Sequence, residues 1–75
     1  MVKKASFNKI KFTIEPYNRV PYGHYLIKSS YKGNNVSIVV TNSSLYDYID
    51  DETNIKKQRE SRKQIYNMIK KEANK

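Results

Sequence analysis

Residues 22–41, YGHYLIKSSYKGNNVSIVVT, have the pattern of one β-hairpin, around which the rest of the chain can be organised. Two arms rich in Tyr, Ile and Val, residues 22–31 and 36–41, flank the tetrapeptide KGNN at residues 32–35. Gly33 and Asn34 are residue types that tolerate the positive φ of a tight turn, so we expect the turn there. Because an isolated hairpin is only marginally stable in water, other segments must cover one of its faces.

The segments on either side of the hairpin can supply that cover. Residues 6–15 alternate between apolar and polar side chains, which predicts a strand, and Pro16 is expected to end it because proline cannot donate to a sheet. Residues 16–21, bounded by two prolines, are predicted to form a loop. Residues 54–73 carry apolar side chains near helical spacing and predict a basic C-terminal helix. Residues 1–5 are expected to form a flexible arm.

The predicted fold class is α+β, with a three-stranded antiparallel sheet packed on the C-terminal helix in the order βββα. We expect one small domain over residues 1–75. Ser44 followed by Asp47 fits a capping box and predicts that a helix begins near residue 44. The sequence leaves open whether residues 44–73 form one helix, or a short helix near residues 44–50 followed by a long one.

Alternation along the strands predicts which side chains enter the core. The core face is expected to consist of Ile10, Phe12, Ile14, the row of Tyr25 and Ile27, and the row of Val36. The opposite face is expected to be flat and basic. It would carry Lys9, Lys11, Thr13, His24, Lys28, Ser30, Ser37 and Thr41.

The charge of the chain favours a polyanionic partner or an acidic protein surface. Of 75 residues, 15 are Lys or Arg and seven are Asp or Glu, so the net charge is +8. Residues 54–75 hold eight basic residues against Glu60 and Glu72, which gives +6 for this segment alone. No apolar run is long enough for a signal peptide or a membrane span, so we expect a cytoplasmic protein without a membrane partner.

The inventory of reactive side chains argues against an enzyme. With one histidine, His24, and no cysteine, Cys–His catalysis and the usual zinc ligand sets are excluded. Two glycines ten residues apart cannot form a phosphate-binding loop, and the acidic residues between Asp47 and Glu52 lack the spacing of a calcium loop. We therefore expect no cofactor, no metal site and no small-molecule substrate, and we expect His24 to be a surface or edge residue.

Two basic surfaces are candidates for binding nucleic acid. The polar sheet face could enter a DNA groove, and the basic helix could add phosphate contacts. The candidate residues are Lys9, Lys11, Arg19, Lys28, Lys32, Lys56, Lys57, Arg59, Arg62 and Lys63. A solvated helix face explains the helix charge almost equally well. Four strand and loop tyrosines could instead stack on unpaired bases, with core packing as their alternative role. They are Tyr17, Tyr22, Tyr25 and Tyr31.

The strand GHYLIK at residues 23–28, followed by a turn, an apolar third strand and a charged helix, resembles the three-stranded-sheet-plus-helix DNA-binding domains. These include the arm-site-binding N-terminal domains of conjugative-transposon integrases and the plant AP2-type domains. The resemblance implies that the sheet face lies in the major groove, with Lys9, Lys11, Lys28 and Lys32 facing it, while the helix braces the back of the sheet. AP2-type sheets use several Arg and Trp, whereas this chain has Lys and no Trp.

The sequence therefore predicts a non-enzymatic nucleic-acid-binding protein, with double-stranded DNA as the favoured target. The bias toward Asn, Ile, Lys and Tyr is similar to that of small accessory proteins of AT-rich phages or mobile elements. The alternative is a small phage or mobile-element protein that binds and modulates a host or partner protein through an exposed edge strand or the helix.

Overall fold

A computed structural model describes residues 2–17 and 23–75 of the chain. Within these residues the chain forms a four-stranded antiparallel sheet and two helices. The elements are β1 (Lys3–Phe7), β2 (Ile10–Tyr17), β3 (His24–Tyr31), β4 (Asn34–Val40), α1 (Ser43–Tyr48) and α2 (Ile55–Ala73). The strands lie in sequence order, β1-β2-β3-β4. The α+β class with an antiparallel sheet and a C-terminal helix is confirmed, but the prediction of three strands was wrong.

The additional strand is β1, in the segment that was predicted to begin as a flexible arm. Lys3–Phe7 pairs with β2, so that Ala5 lies opposite Phe12 and Phe7 lies opposite Ile10. The predicted strand over residues 6–15 is split by a two-residue turn at Asn8 and Lys9, which have φ of 50° and 68°. Asn tolerates this conformation, whereas Lys rarely adopts it, so the local signal for the turn comes from Asn8 and not from Lys9. Lys9 therefore lies in a turn and not on the sheet face.

Strand β2 continues through Pro16 to Tyr17, so the expectation that Pro16 ends it was also wrong. Strand β1 starts at Lys3, opposite Ile14, and does not extend as far as Pro16. Among the described residues, strand β2 therefore has a neighbouring strand on one side only at Pro16. An edge position of this kind accepts a proline, which lacks the N–H that a second neighbour would bond. The predicted loop over residues 16–21, with Arg19, and the predicted strand start at Tyr22 fall largely on residues 18–22, which lie outside the described residues.

The central hairpin is confirmed, with a shorter turn than predicted. Strands β3 and β4 pair from Tyr25 opposite Val40 to Tyr31 opposite Asn34. The turn is Lys32–Gly33, with φ of 51° and 81°, and Asn34 already belongs to β4. Left-handed backbone at a lysine costs roughly 1 kcal/mol. The turn residues therefore do not set the register of the hairpin. Burial sets it, because a slip of one residue would move the buried side chains to the solvent face.

The helices cover one face of the sheet and close the core there. The predicted core face is confirmed: Phe12, Ile14, Ile27 and Val36 are buried, while Ile10 and Tyr25 are partly buried against them. The helices contribute Leu45, Ile49, Ile65 and Ile69 to the same cluster. We call the covered side the inner face and the opposite side the outer face.

Two helices, and not one, cover the segment after β4: the short α1 is followed by the long α2. The sequence had left both arrangements open. Helix α1 is capped by Asn42, whose side chain accepts a hydrogen bond from the Ser44 backbone N–H at 3.0 Å, and not by the predicted Ser44 box. Helix α2 is confirmed over almost the predicted range. Its cap is Asn54, whose side chain accepts from the Lys57 backbone N–H at 3.2 Å. Asn is among the strongest N-cap residues because its short side chain satisfies an otherwise unpaired N–H.

The carboxylate of Asp51 organises the connection between α1 and α2. Its Oδ1 accepts hydrogen bonds from the Thr53 hydroxyl and from the Thr53 backbone N–H. These bonds, the hydroxyl bond first, lower the pKa of Asp51 below its ordinary value of 3.8. A lowered folded-state pKa contributes stability above about pH 4, and this contribution is lost as the pH falls through the lowered pKa.

We therefore expect Thr53→Ala to lower the free energy of unfolding at neutral pH and to lower it less at about pH 2, since Asp51 becomes protonated as the pH falls through its lowered pKa. Urea unfolding at the two pH values, followed by circular dichroism, measures the difference. An equal loss at both pH values would contradict a role for the Asp51 carboxylate and would indicate a backbone effect of the substitution.

Candidate nucleic-acid interface

The outer face carries a polar row that crosses all four strands. Lys4 lies opposite Thr13, Thr13 opposite Lys28, and Lys28 opposite Ser37. Because side chains directly opposite each other in a sheet point to the same side, the four side chains form one line on the side away from the helices. Lys4, Lys28 and Ser37 are exposed and Thr13 is half-buried.

A second polar row lies beside the first, toward the two tight turns. Ser6 lies opposite Lys11 on β1 and β2, and Ser30 lies opposite Asn35 on β3 and β4. All four of these residues are exposed. The hairpin turns at residues 8–9 and 32–33 end the sheet on this side and add the exposed Lys9 and Lys32. The Lys32 Nζ lies 5.5 Å from the centre of the Tyr31 ring, whose side chain faces the core, so Lys32 does not belong to the outer face.

The sheet is a strongly basic part of the molecule, as α2 is. The strands and tight turns of the described residues carry six lysines, at positions 3, 4, 9, 11, 28 and 32, and a single acidic residue, Glu15. The other six of the seven acidic residues lie in the helices or in the connection between them. Lys28 Nζ and Glu15 Oε1 are 4.0 Å apart and both side chains are partly exposed, so this pair offsets little of the charge.

Lys3 is the exception among the sheet lysines, because it faces inward. Its Nζ donates to the Tyr46 carbonyl at 2.9 Å and to Asp50 Oδ1 at 3.0 Å, and it lies 4.3 Å from the centre of the Tyr46 ring. The Tyr46 ring in turn stacks on Tyr25, with centroids 4.9 Å apart. Lys3 therefore closes one end of the core and is not available to an external ligand.

A shallow groove of about 560 Å³ lies on the outer face and reaches the β1 edge. Lys4, Lys11, Thr13 and Lys28 line it from the strands, and Arg62 lines it from α2. No acidic side chain borders it among the described residues. The structure thus brings together three of the predicted binding residues, Lys11, Lys28 and Arg62, and adds Lys4, which was assigned to the arm.

Arg62 reaches this groove because α2 passes beside the edge strand. A neighbouring groove is lined by Ser6 and Asn8 of the β1 hairpin together with Arg59 and Arg62 of α2. The Arg62 Nε donates to the Ile49 carbonyl at 2.7 Å, and the residue is half-buried. This bond ties α2 to the end of α1 and holds the guanidinium in one place at the β1 edge.

The remaining basic residues of α2 form a second surface. Lys56, Arg59 and Lys63 are exposed and line a groove with Glu60 and with Ile55, which is 53% exposed. The Lys57 Nζ lies 4.7 Å from the centre of the Tyr48 ring. Because α2 packs on the inner face, Lys56 and Lys63 are not brought together with the lysines of the outer face. Arg59 lines this groove and also the groove beside the β1 hairpin.

Comparison of the chain with protein-family models, with curated proteins and with solved structures found no match. No helix in residues 2–17 and 23–75 combines the length and the apolar character needed to cross a lipid bilayer. Function is therefore inferred from the chemistry of the surface.

Two of the four tyrosines considered for base stacking face the core. Tyr25 and Tyr31 lie on the inner face, and Tyr31 is buried. Tyr17 lies on the outer face opposite His24, at the end of the sheet farthest from the tight turns. Tyr22 lies outside the described residues. The polar rows of the outer face therefore contain no aromatic side chain that could stack on a base.

Lys4 is the residue of this surface that sequence reasoning missed. Its signal was the alternation of Lys4 and Ser6 with Ala5 and Phe7, which continues the period-two pattern of β2 on the other side of Asn8. Asn8 is a residue type typical of tight turns, and it would have divided the segment into two strands. Asn8 Nδ2 also donates to the Tyr66 hydroxyl at 2.9 Å, a contact that only the packed helix provides.

Proposed function

We propose that this protein binds double-stranded DNA through the outer face of its sheet. The observation that carries this proposal is the polar row across four strands, in which exposed lysines alternate with hydroxyl side chains. Lysines that contact phosphates release condensed counterions from DNA, and this release drives binding. Hydroxyl groups between the lysines can donate to or accept from base edges and phosphates.

The β1–β2 hairpin is the part of the sheet that fits a groove. Strands lie about 4.8 Å apart, so four strands span roughly 14 Å between the outer backbones, which exceeds the roughly 12 Å width of the major groove. A two-stranded ribbon fits that width. The β1–β2 hairpin presents Lys4, Ser6, Lys11 and Thr13 on its outer face and Lys9 at its tip.

With this ribbon in the groove, strand β3 lies over one DNA backbone. Lys28 then contacts a phosphate of this DNA strand. Arg62, at the β1 edge, can contact a phosphate of the other DNA strand. The resemblance to sheet-plus-helix DNA-binding domains implies a related mode with the helix behind the sheet, although it places Lys28 in the groove and not on a phosphate. Lys56, Lys57 and Lys63 on the helix surface have no contact with DNA in this arrangement.

We favour duplex DNA over single strands as the ligand because the two polar rows of the outer face contain no aromatic side chain. Proteins that bind single strands combine a basic groove with aromatic side chains on which bases stack. Here the rows hold Lys, Ser, Thr and Asn, and Tyr17 lies at the far end of the sheet beside Glu15. The described side chains of these rows offer charge and hydrogen bonds but no exposed aromatic ring on which a base could stack.

Fluorescence anisotropy tests this function directly, with labelled duplex DNA, single-stranded DNA and duplex RNA at salt concentrations from about 50 to 200 mM. We expect duplex DNA to bind most tightly. If five cations contact phosphates, the logarithm of the association constant should fall with the logarithm of salt concentration at a slope of about −4.5. Tighter binding of single strands, or a slope near zero, would contradict groove binding by the sheet.

A further inference from the structure

Strand β4 ends the sheet, and none of the described residues pairs with its far edge. It is the last strand in the order β1-β2-β3-β4, and it runs over seven residues, Asn34–Val40. Apart from the ladder to β3, none of the hydrogen bonds made by the described residues involves β4. The backbone N–H and C=O groups along the free edge of β4 therefore have no hydrogen-bond partner among the described residues. Such an edge can accept another strand.

The β4 edge also lacks the features that keep edge strands apart. Monomeric proteins protect such edges with lysines, prolines, bulges or short strands. Strand β1, at the other edge, has five residues and two lysines. Residues 33–46, which include all of β4, contain no Lys, Arg, His, Asp or Glu, although 29% of the whole chain is charged. This is a long uncharged stretch beside an unpaired edge.

Apolar side chains lie along this edge on both faces of the sheet. Val39 is 49% exposed on the outer face, and Ile38 and Val40 are only partly buried on the inner face. A strand added beside β4 would remove part of this apolar surface from water, which is worth about 25 cal/mol for each Å² covered.

We propose that β4 pairs antiparallel with β4 of a second copy of this chain, so that two sheets join into one of eight strands. A second copy fits because each chain carries +8, and β4 is a neutral surface on which two such chains can approach without bringing like charges together. Antiparallel pairing of identical strands also satisfies two-fold symmetry, the commonest symmetry of dimers.

The side chains indicate the register. Centred on Ile38, the pairing places Ile38 beside Ile38 of the second copy and Val36 beside Val40 of the second copy, all on the inner face. On the outer face Ser37 lies beside Val39 of the second copy. The outer faces of the two sheets then point in the same direction. This pairing does not depend on whether the outer face binds DNA.

Sedimentation equilibrium of the full chain tests the pairing over protein concentrations from about 1 to 100 µM, since association follows mass action. We expect a mass twice the 8.9 kDa of the chain at the upper concentrations. Ser37→Lys adds a charge at the centre of the edge and should yield monomers. Ser30→Lys adds the same charge on the outer face of the internal strand β3 and should leave the dimer intact. Circular dichroism verifies that both variants are folded.

Disulfide trapping tests the register, because the chain has no cysteine. In the proposed pairing the two residues at position 38 lie directly opposite each other, within the Cα distance that a disulfide spans. Ile38→Cys should form a covalent dimer under mild oxidation. Ile55→Cys, the same substitution at a more exposed position of α2, should not. A monomer at every concentration, a dimer that survives Ser37→Lys, or equal cross-linking of the two cysteine variants would overturn the proposal.

Discussion

The double variant Lys11→Ala/Lys28→Ala is expected to bind duplex DNA about 60-fold more weakly than the unmodified protein at roughly 100 mM salt. Each phosphate contact contributes about −0.9 to the salt slope, which corresponds to about eightfold in affinity at this salt concentration. Both lysines are exposed on the outer face and line the same groove. Two lost contacts should also make the slope shallower by about 1.8. Anisotropy titrations at several salt concentrations measure both quantities.

A charge-matched control separates this site from a general effect of net charge. Lys56→Ala/Lys63→Ala removes the same two charges from the helix surface, on the other side of the molecule. At this ionic strength charges more than about 10 Å from a ligand are largely screened, so we expect the control to change affinity by less than about fivefold. Equal losses in the two double variants would contradict binding through the outer face. Both variants should unfold in urea at nearly the same midpoint as the unmodified protein, since all four lysines are exposed.

The largest effect on stability is expected for Ile27→Ala. Ile27 is completely buried at the centre of the sheet, between Ile14 of β2 and Ile38 of β4. Truncating such a residue removes apolar contacts and leaves a cavity, which costs about 2–5 kcal/mol. A domain of this size has an unfolding free energy of about 4–11 kcal/mol. If the unmodified protein lies near the lower value, the loss in Ile27→Ala should leave the variant close to unfolded.

The neighbouring residue provides the control for this prediction. Leu26 has nearly the same size but points to the outer face, where it is only half-buried beside Val39. We expect Leu26→Ala to lower the free energy of unfolding by less than about 1.5 kcal/mol. Urea unfolding followed by circular dichroism compares the two variants. A larger loss for Leu26→Ala than for Ile27→Ala would mean that the faces of β3 are reversed.

The features that the sequence predicted correctly are those that depend on side-chain periodicity within a few residues. The alternation around Ile27 and Val36 identified the hairpin and its buried face, because a strand with one covered side must place apolar side chains at every second position. The spacing of Ile65 and Ile69 identified α2, and both residues are buried in the core. For the same reason Lys11 and Lys28 were placed correctly on the outer face.

The features that the sequence left undetermined depend on which elements become neighbours. Strand β1 exists because Ala5 and Phe7 find partners in β2 and under α2, and nothing in residues 1–7 alone requires this. Pro16 remains in a strand because β1 ends before it. Lys9 and Lys32 have a left-handed backbone conformation because the strand registers of the two hairpins leave only two residues for each turn.

The central hairpin, its buried face, the long helix and the excess of positive charge could all be predicted from the sequence, because each depends on local periodicity or on composition. Tertiary structure alone decided how that charge is distributed. Helix α2 covers the inner face, so its lysines lie away from those of the outer face, while Arg62 lies at the β1 edge because α2 passes beside that strand. The physical reason is that a surface is formed by residues distant in sequence, and only packing brings them to one side.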